Sequence, residues 1–316
     1  MSSNAVALPL AVAEERARPA AASRRAAWAA NPVRGIALMV ASTVFFSVSD
    51  VITKELAGTL PAVEVAWLRY VTFALLVVPF VVARGGLRGL RTQAPGLQAL
   101  RGLGTVASAL LFTASLPYLP VADATAVYFV SPIVITALSI PILGEVVGWR
   151  RWLAALVGLL GVLIVIRPGT EAFEPAALLP LLGATSWAGA AIVTRLTSGR
   201  DAPTVTLACS ALIGLLVLTA LLPFGWVTPG WREVGIGAAI GLFSTIGHWM
   251  VILAYRHASA SIVAPYSYVQ LIWAGALGYL VFGSLPDRWT IVGAAIIAAS
   301  GLYTVYRERV RAAARG

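Results

Sequence analysis

Three ionisable residues, Asp50, Arg69 and His248, lie deep within runs of apolar sequence. A charged group in hydrocarbon costs on the order of 3 kcal/mol or more and persists where it is paired or lines a wet cavity. Each is therefore a candidate for holding or passing a charged species. Asp50 precedes the end of its apolar run at Ala57 by seven residues, and Arg69 follows the turn at Pro61 by eight. At about 1.5 Å per helical residue both fall about 10–12 Å beneath the same surface, which predicts a pair. Lys54 and Glu64 share a shallower level, and Lys54 lies four residues from Asp50 on one helix face. Two readings of this set stay open: an ion-pair ladder clamping two helices, or a gate whose charges change partners. His248 sits about 12 Å from the end of its own run, as a hydrogen-bonded packing residue or as a proton carrier titrating near neutral pH.

A second constellation is aromatic. Tyr128, Phe129, Ser131 and Pro132 fall mid-run in one segment, and Pro265, Tyr266, Tyr268, Gln270 and Trp273 in another. A mid-span proline frees a carbonyl and permits a kink, tolerated where the backbone faces protein or a water-filled cavity. Rings there could stack on an apolar or aromatic solute while Ser131 and Gln270 orient its polar end; the bland alternative is core filling. Phe46 and Trp187, related by the repeat below, are candidates for the same wall.

The elements that must position these residues follow from composition. Of 316 residues, 59% are hydrophobic and only 11% charged, and the mean hydropathy is +0.87. Such a chain has too little polar surface for an ordinary soluble enzyme. Ten apolar runs of roughly 20 residues succeed one another at 36–57, 62–83, 97–116, 121–143, 149–166, 176–196, 203–223, 233–255, 258–282 and 289–306. Each approaches the length that crosses about 30 Å of hydrocarbon, where only helices satisfy their own backbone. The connections are too short to be domains. Residues 1–34 read as a disordered cytoplasmic tail and 308–316 as a basic one. With ten spans, most Lys and Arg fall on the face carrying both termini, and only Lys54, Arg167, Arg232 and Arg288 on the other. Basic flanks stay cytoplasmic during insertion, so both termini are expected inside. The net charge of +10 is then an imprint of topology, and nucleic acid is not an expected partner.

Other chemistries find no support in the residues. One cysteine and two histidines give no metal-spaced cluster, and no metal or cofactor is expected. The sole lysine, Lys54, stands outside any phosphate-binding glycine loop, so ATP coupling is not expected. Small-residue spacings such as Gly237 with Gly241 and Ala154 with Gly158 predict tight helix contacts.

The two halves echo each other. FSVSDVITKEL at 46–56 aligns with the run from Trp187, placing Lys54 against Arg195, and ADATAVYFVSP from Ala122 faces ASASIVAPYSY from Ala258. Five helices per half is an odd number, so the second copy is expected upside down, an arrangement suited to alternating access. The motifs AYRHASASIVAPYSY from Ala254, GYLVFG from Gly278 and PDRW from Pro286, with SP at Ser131, LGE at Leu143 and RRWLAALVGLLG from Arg150, resemble the two EamA domains of drug/metabolite transporter superfamily permeases over about residues 35–308. The resemblance implies an all-α integral membrane protein of ten transmembrane helices as two inverted five-helix EamA repeats, at 35–167 and 175–307. It implies a secondary carrier, not an enzyme, that moves a small organic metabolite such as an amino acid or related solute across a bacterial inner membrane. Alternatives are an uptake carrier for a nucleoside-like or vitamin-like metabolite (S-adenosylmethionine or riboflavin type) and, in another class, a passive channel or intramembrane enzyme. Partners are then the bilayer and a small solute, with protons as a candidate coupling ion and a homodimer as a candidate assembly. The family's histidine near this point strengthens the proton or solute-contact reading of His248. One departure is Ser284 after Gly283, where the family often has Glu, which puts in doubt any role needing that acid in both halves.

Overall fold

The structure, a computed structural model, describes residues 32–86, 90–144, 149–171, 173–197, 200–257 and 264–313. Among them there is no strand. The helices are α1 (Pro32–Ala57), α2 (Ala62–Gly85), α3 (Pro95–Ser115), α4 (Val121–Tyr128), α5 (Ser131–Leu143), α6 (Trp149–Ile166), α7 (Leu178–Thr197), α8 (Pro203–Leu221), α9 (Trp231–His257), α10 (Val269–Phe282) and α11 (Arg288–Ala313). The tail expected at 1–34 lies outside the described residues up to residue 31. Helix α1 starts at Pro32, whose fixed φ suits a first helical position. Helix α11 runs past the expected boundary at 307, since Arg is a good helix former and cations favour a helix C-terminus.

Among the described residues, seven segments are long and apolar enough to cross a bilayer: Val33–Ala57, Ala62–Gly85, Pro95–Ser115, Val121–Leu143, Pro175–Thr194, Pro203–Phe224 and Trp231–Ala254. Trp152–Ile166, Tyr266–Phe282 and Arg288–Tyr303 are shorter apolar helices at the remaining expected spans. Part of the ninth, 258–263, lies outside the described residues.

The fourth span is broken rather than kinked. Phe129 and Val130 close α4 by bonding back to Thr125 and Val127, and Pro132 then opens α5 within its first turn, where a missing N–H costs nothing. The ninth span shows a comparable break, a 3-10 turn Ala264–Tyr268 before α10. Both spans end on glycines in the left-handed region, Gly144 at φ 67° and Gly283 at φ 68°, where a side chain would be strained.

Helices pair mostly across the two halves. Helix α1 packs on α9 and α10, α3 on α7 and α8, α2 on α8 and α9, and α6 on α11. Ser49 Oγ on α1 donates to the Ile240 carbonyl on α9 at 3.2 Å, and Ser47 Oγ to the Gln270 carbonyl on α10 at 3.4 Å. The small-residue spacings mark these seams. A Cβ on Gly237 would lie 2.5 Å from Leu68 Cβ, and Ser300 Oγ donates to the Ala154 carbonyl at 2.5 Å.

This pairing dissolves the expected ladder between α1 and α2, which touch little. Lys54 Nζ instead donates to the carbonyls of Leu116 and Leu119 at 2.8 and 2.5 Å. Glu64 accepts from the Val227 N–H at 3.2 Å, in the segment before α9. Asp201, before α8, accepts from the Gln93 N–H at 2.8 Å, in the segment before α3, and also from Thr92 and Gln98. The two acids thus do matching work at corresponding places in the two halves. Partial burial pushes the Asp201 carboxyl up, but those three donors together hold it below the usual carboxylate range. The surface network expected around Glu145, Arg150 and Arg151 lies outside the described residues: Glu145 entirely, the two arginines by their side chains.

Candidate substrate cavity

One face of each of several helices converges on a cavity of about 570 Å³, within the range of about 300–1,000 Å³ that small-molecule sites occupy. Helix α1 contributes Met39, Thr43, Phe46 and Asp50, a spacing of three and four that defines a single stripe. Helix α3 does the same with Arg101, Thr105, Ser108 and Phe112, α2 with Arg69 and Phe73, and α9 with Ser244, His248 and Val251. The broken spans complete the wall. Where α4 gives way to α5, Tyr128, Phe129, Ser131 and Pro132 face the space, and the 3-10 turn before α10 brings Tyr268 opposite them.

Hydrogen bonds and ring contacts fix these side chains. Gln270 Nε2 donates to Asp50 Oδ2 at 3.1 Å, and Tyr128 Oη shares a 2.8 Å hydrogen bond with Ser108 Oγ. Phe129 and Tyr268 lie 5.1 Å apart, joining the two broken spans by their rings. His248 Nδ1 lies 2.7 Å from the Ser244 carbonyl, so that nitrogen is the donor. Phe46 stands edge-on to the imidazole at 4.9 Å, and Phe73 stacks on it at 6.2 Å.

The cavity reaches from Asp50 toward Met39 on α1 and Ser139 on α5. At the other end it is shut. The Lys54 bonds lie there, as does a cluster of buried Val51, Leu116, Leu119, Val121 and Ile166. Arg167 and Asp287 form a 2.7 Å ion pair at that end, and Asp287 also accepts from the Thr290 N–H. Partial burial raises the Asp287 carboxyl, but the Thr290 hydrogen bonds and the Arg167 charge overcome this and hold it below the usual range.

Of the residues singled out from sequence, Phe46, Asp50, Arg69, Tyr128, Phe129, Ser131, Pro132, Trp187, His248, Tyr268 and Gln270 line this cavity, and Trp273 does not. Pro265 falls in the 3-10 turn, and its side chain lies outside the described residues. Tyr266 is a correction. It sits 37% exposed in an outer groove beside Leu302 and Tyr306, which Tyr268 borders as well, and does not reach the cavity. The expected Asp50–Arg69 pair is a second correction. Asp50 feels the Arg69 charge, but no nitrogen–oxygen contact within 4.0 Å joins them, because α1 leans on α9 and α10.

Sequence reasoning missed Arg101. Its Nε donates to Thr194 Oγ1 at 2.7 Å, and its Nη1 to Ser210 Oγ and, at 3.4 Å, to the Thr206 carbonyl. Its signal was present: an arginine inside an apolar run, at the head of a polar stripe on α3. Phe73, Thr105 and Ser108 were missed as well, and helical spacing from Arg69 and Arg101 would have found them.

A bundle of apolar helices enclosing a largely apolar cavity, with a few charged and hydroxyl groups set among its rings, defines a multi-pass membrane protein built to admit a small solute. The model of the EamA-like transporter family matches residues 33–167 and again 174–306, and the chain belongs to that family. It is 30% identical to the S-adenosylmethionine uptake transporter of Rickettsia prowazekii (strain Madrid E), over 88% of this chain and 94% of that one. It is 31% identical to the riboflavin transporter of Vibrio cholerae serotype O1 (85% and 92% covered) and 29% identical to the pseudopaline exporter CntI of Pseudomonas aeruginosa (83% and 93% covered). A solved crystal structure superposes with a TM-score of 0.62 over 87% of this chain and 98% of its own, at 18% identity, which shows a shared fold.

Proposed function

We propose that the protein is a secondary carrier that moves a small organic solute across a bacterial inner membrane by alternating access. The observation that carries this reading is a cavity walled by helices of both repeats that extends from Asp50 toward Met39 and Ser139, with the Lys54 hydrogen bonds and the buried cluster around Leu116 beyond its Asp50 end. Two halves at 35–167 and 175–307, inverted relative to each other with both termini cytoplasmic, would open the sealed end by exchanging conformations. The corresponding roles of Glu64 and Asp201 and the breaks in both the fourth and ninth spans support that exchange.

The solute is an amino acid or a related compound. A nucleoside-like or vitamin-like metabolite is the second reading, favoured by the ring-lined wall of Tyr128, Phe129 and Tyr268 and by relatives named for S-adenosylmethionine and riboflavin. His248, held between two rings with Nδ1 bonded to the Ser244 carbonyl, is the group through which protons would couple. Counterflow in proteoliposomes tests the carrier: internal unlabelled solute should accelerate entry of labelled solute, with saturation. Flux that neither saturates nor exchanges would mean a passive channel, and chemical conversion of the solute an intramembrane enzyme.

A further inference from the structure

The charges on the cavity wall do not balance. It carries two guanidinium groups, Arg69 and Arg101, against one carboxylate, Asp50, which already takes a hydrogen bond from Gln270. Neither arginine has an acidic partner within 4.0 Å among the described residues. Arg101 is clamped through Nε and Nη1 by Thr194, Ser210 and the Thr206 carbonyl, so Nη2 retains two unengaged N–H groups. Arg69 makes no side-chain hydrogen bond or ion pair with any described residue, although it borders the same space as Asp50, Tyr128 and His248. A guanidinium drawn away from water without a counter-ion is costly, and two sharing a cavity repel as well. An arginine held at Nε and Nη1 by neutral groups is oriented without being neutralised. Its planar fork matches a carboxylate or a phosphate and offers little to a neutral solute.

We infer that Arg69 and Arg101 form the subsite for an anionic group of the transported solute, a carboxylate or a phosphate. The inference rests on the carrier reading above and deepens it. Arg101 supplies a fixed fork. Arg69 supplies a mobile one that closes on the anion, while the Phe129–Tyr268 side of the cavity receives the remainder of the solute.

The test uses the full-length protein in detergent and reads thermal protection by two matched pairs: phenylalanine against phenylalaninamide, and adenosine monophosphate against adenosine. Protection by the anionic member of one pair and not by its counterpart is the expected result, and the pair that responds identifies carboxylate or phosphate. Arg69→Gln should weaken that protection at least about tenfold. Arg232→Gln, on a side chain 74% exposed and paired at the surface with Glu55, should match wild type. Because Arg101→Gln removes a clamp and can unfold the protein, Arg101→Lys is measured beside it: charge without the fork should also weaken binding. Equal protection by neutral members, no protection by either anion, or unchanged affinity in a folded Arg69→Gln overturns the subsite. Saturable counterflow of a neutral solute by Arg69→Gln would sink it while sparing the carrier. Anion binding without any counterflow would do the reverse.

Discussion

Replacing Lys54 with Met keeps the apolar stem and removes the ammonium that bonds the Leu116 and Leu119 carbonyls at 2.8 and 2.5 Å. A hydrogen bond from a charged donor contributes about 1.5–3 kcal/mol net. Lys54 is only half-buried, and two bonds from one amine do not add in full, so about 2 kcal/mol is the expected loss. That loss falls on the conformer sealed at this end and not on one in which the end has opened. About 2 kcal/mol corresponds to roughly a thirtyfold rise in the open-to-sealed ratio. The assay places one cysteine at the seal, Ala122→Cys with Cys209→Ser, and measures its labelling by a membrane-impermeant maleimide added outside spheroplasts. Lys54→Met should raise the rate by roughly thirtyfold, and Lys54→Arg much less. An unchanged rate in a folded Lys54→Met protein would refute the assignment of Lys54 as a latch.

Three further outcomes are expected. His248→Gln should leave the fold intact, since the packing of Phe46 and Phe73 remains, but should flatten the pH dependence of counterflow; retention of both rate and pH dependence would remove His248 from coupling. Asp201, whose carboxyl is held below its ordinary value, stabilises the fold above the unfolded-state range near pH 4 and loses that contribution as pH falls through the folded value, so Asp201→Asn should lower Tm at pH 7 and not at pH 2. Solvent screening limits the effect to about 1 kcal/mol or less. Gly237→Ala would drive a methyl group into Leu68 on α2, which is 6% exposed and has nowhere to move, so thermal unfolding should report a loss of about 1–3 kcal/mol.

Depth along a helix was legible in the sequence, and neighbourhood was not. Counting residues from the turns placed Asp50, Arg69 and His248 at cavity level, because rise per residue is a property of one helix. The same counting paired Asp50 with Arg69 and Lys54 with Glu64, which requires α1 and α2 to be lateral neighbours. The cross-half packing of α1 on α9 decides otherwise, and nothing local encodes it. Prolines announced an irregularity near residues 129–132, but its form, a full break, depended on which carbonyls Phe129 and Val130 could recover. Arg101 went unfollowed although its position inside an apolar run is itself the signal.

The hydrogen bond from Ser49 to Ile240 spans 191 residues of chain. At a synthesis rate of about 5–20 residues per second, α1 waits roughly 10–40 s in the membrane before its partner leaves the ribosome. Throughout that wait its polar side chains, Ser47, Ser49 and Asp50, must face lipid, the insertion machinery or a temporary helix neighbour. Thr53 meanwhile can rest on its own helix, by its 2.7 Å bond to the Ser49 carbonyl. A ribosome stalled between the two halves would therefore strand an Asp-bearing helix in the bilayer, and a membrane quality-control protease would have its handle there.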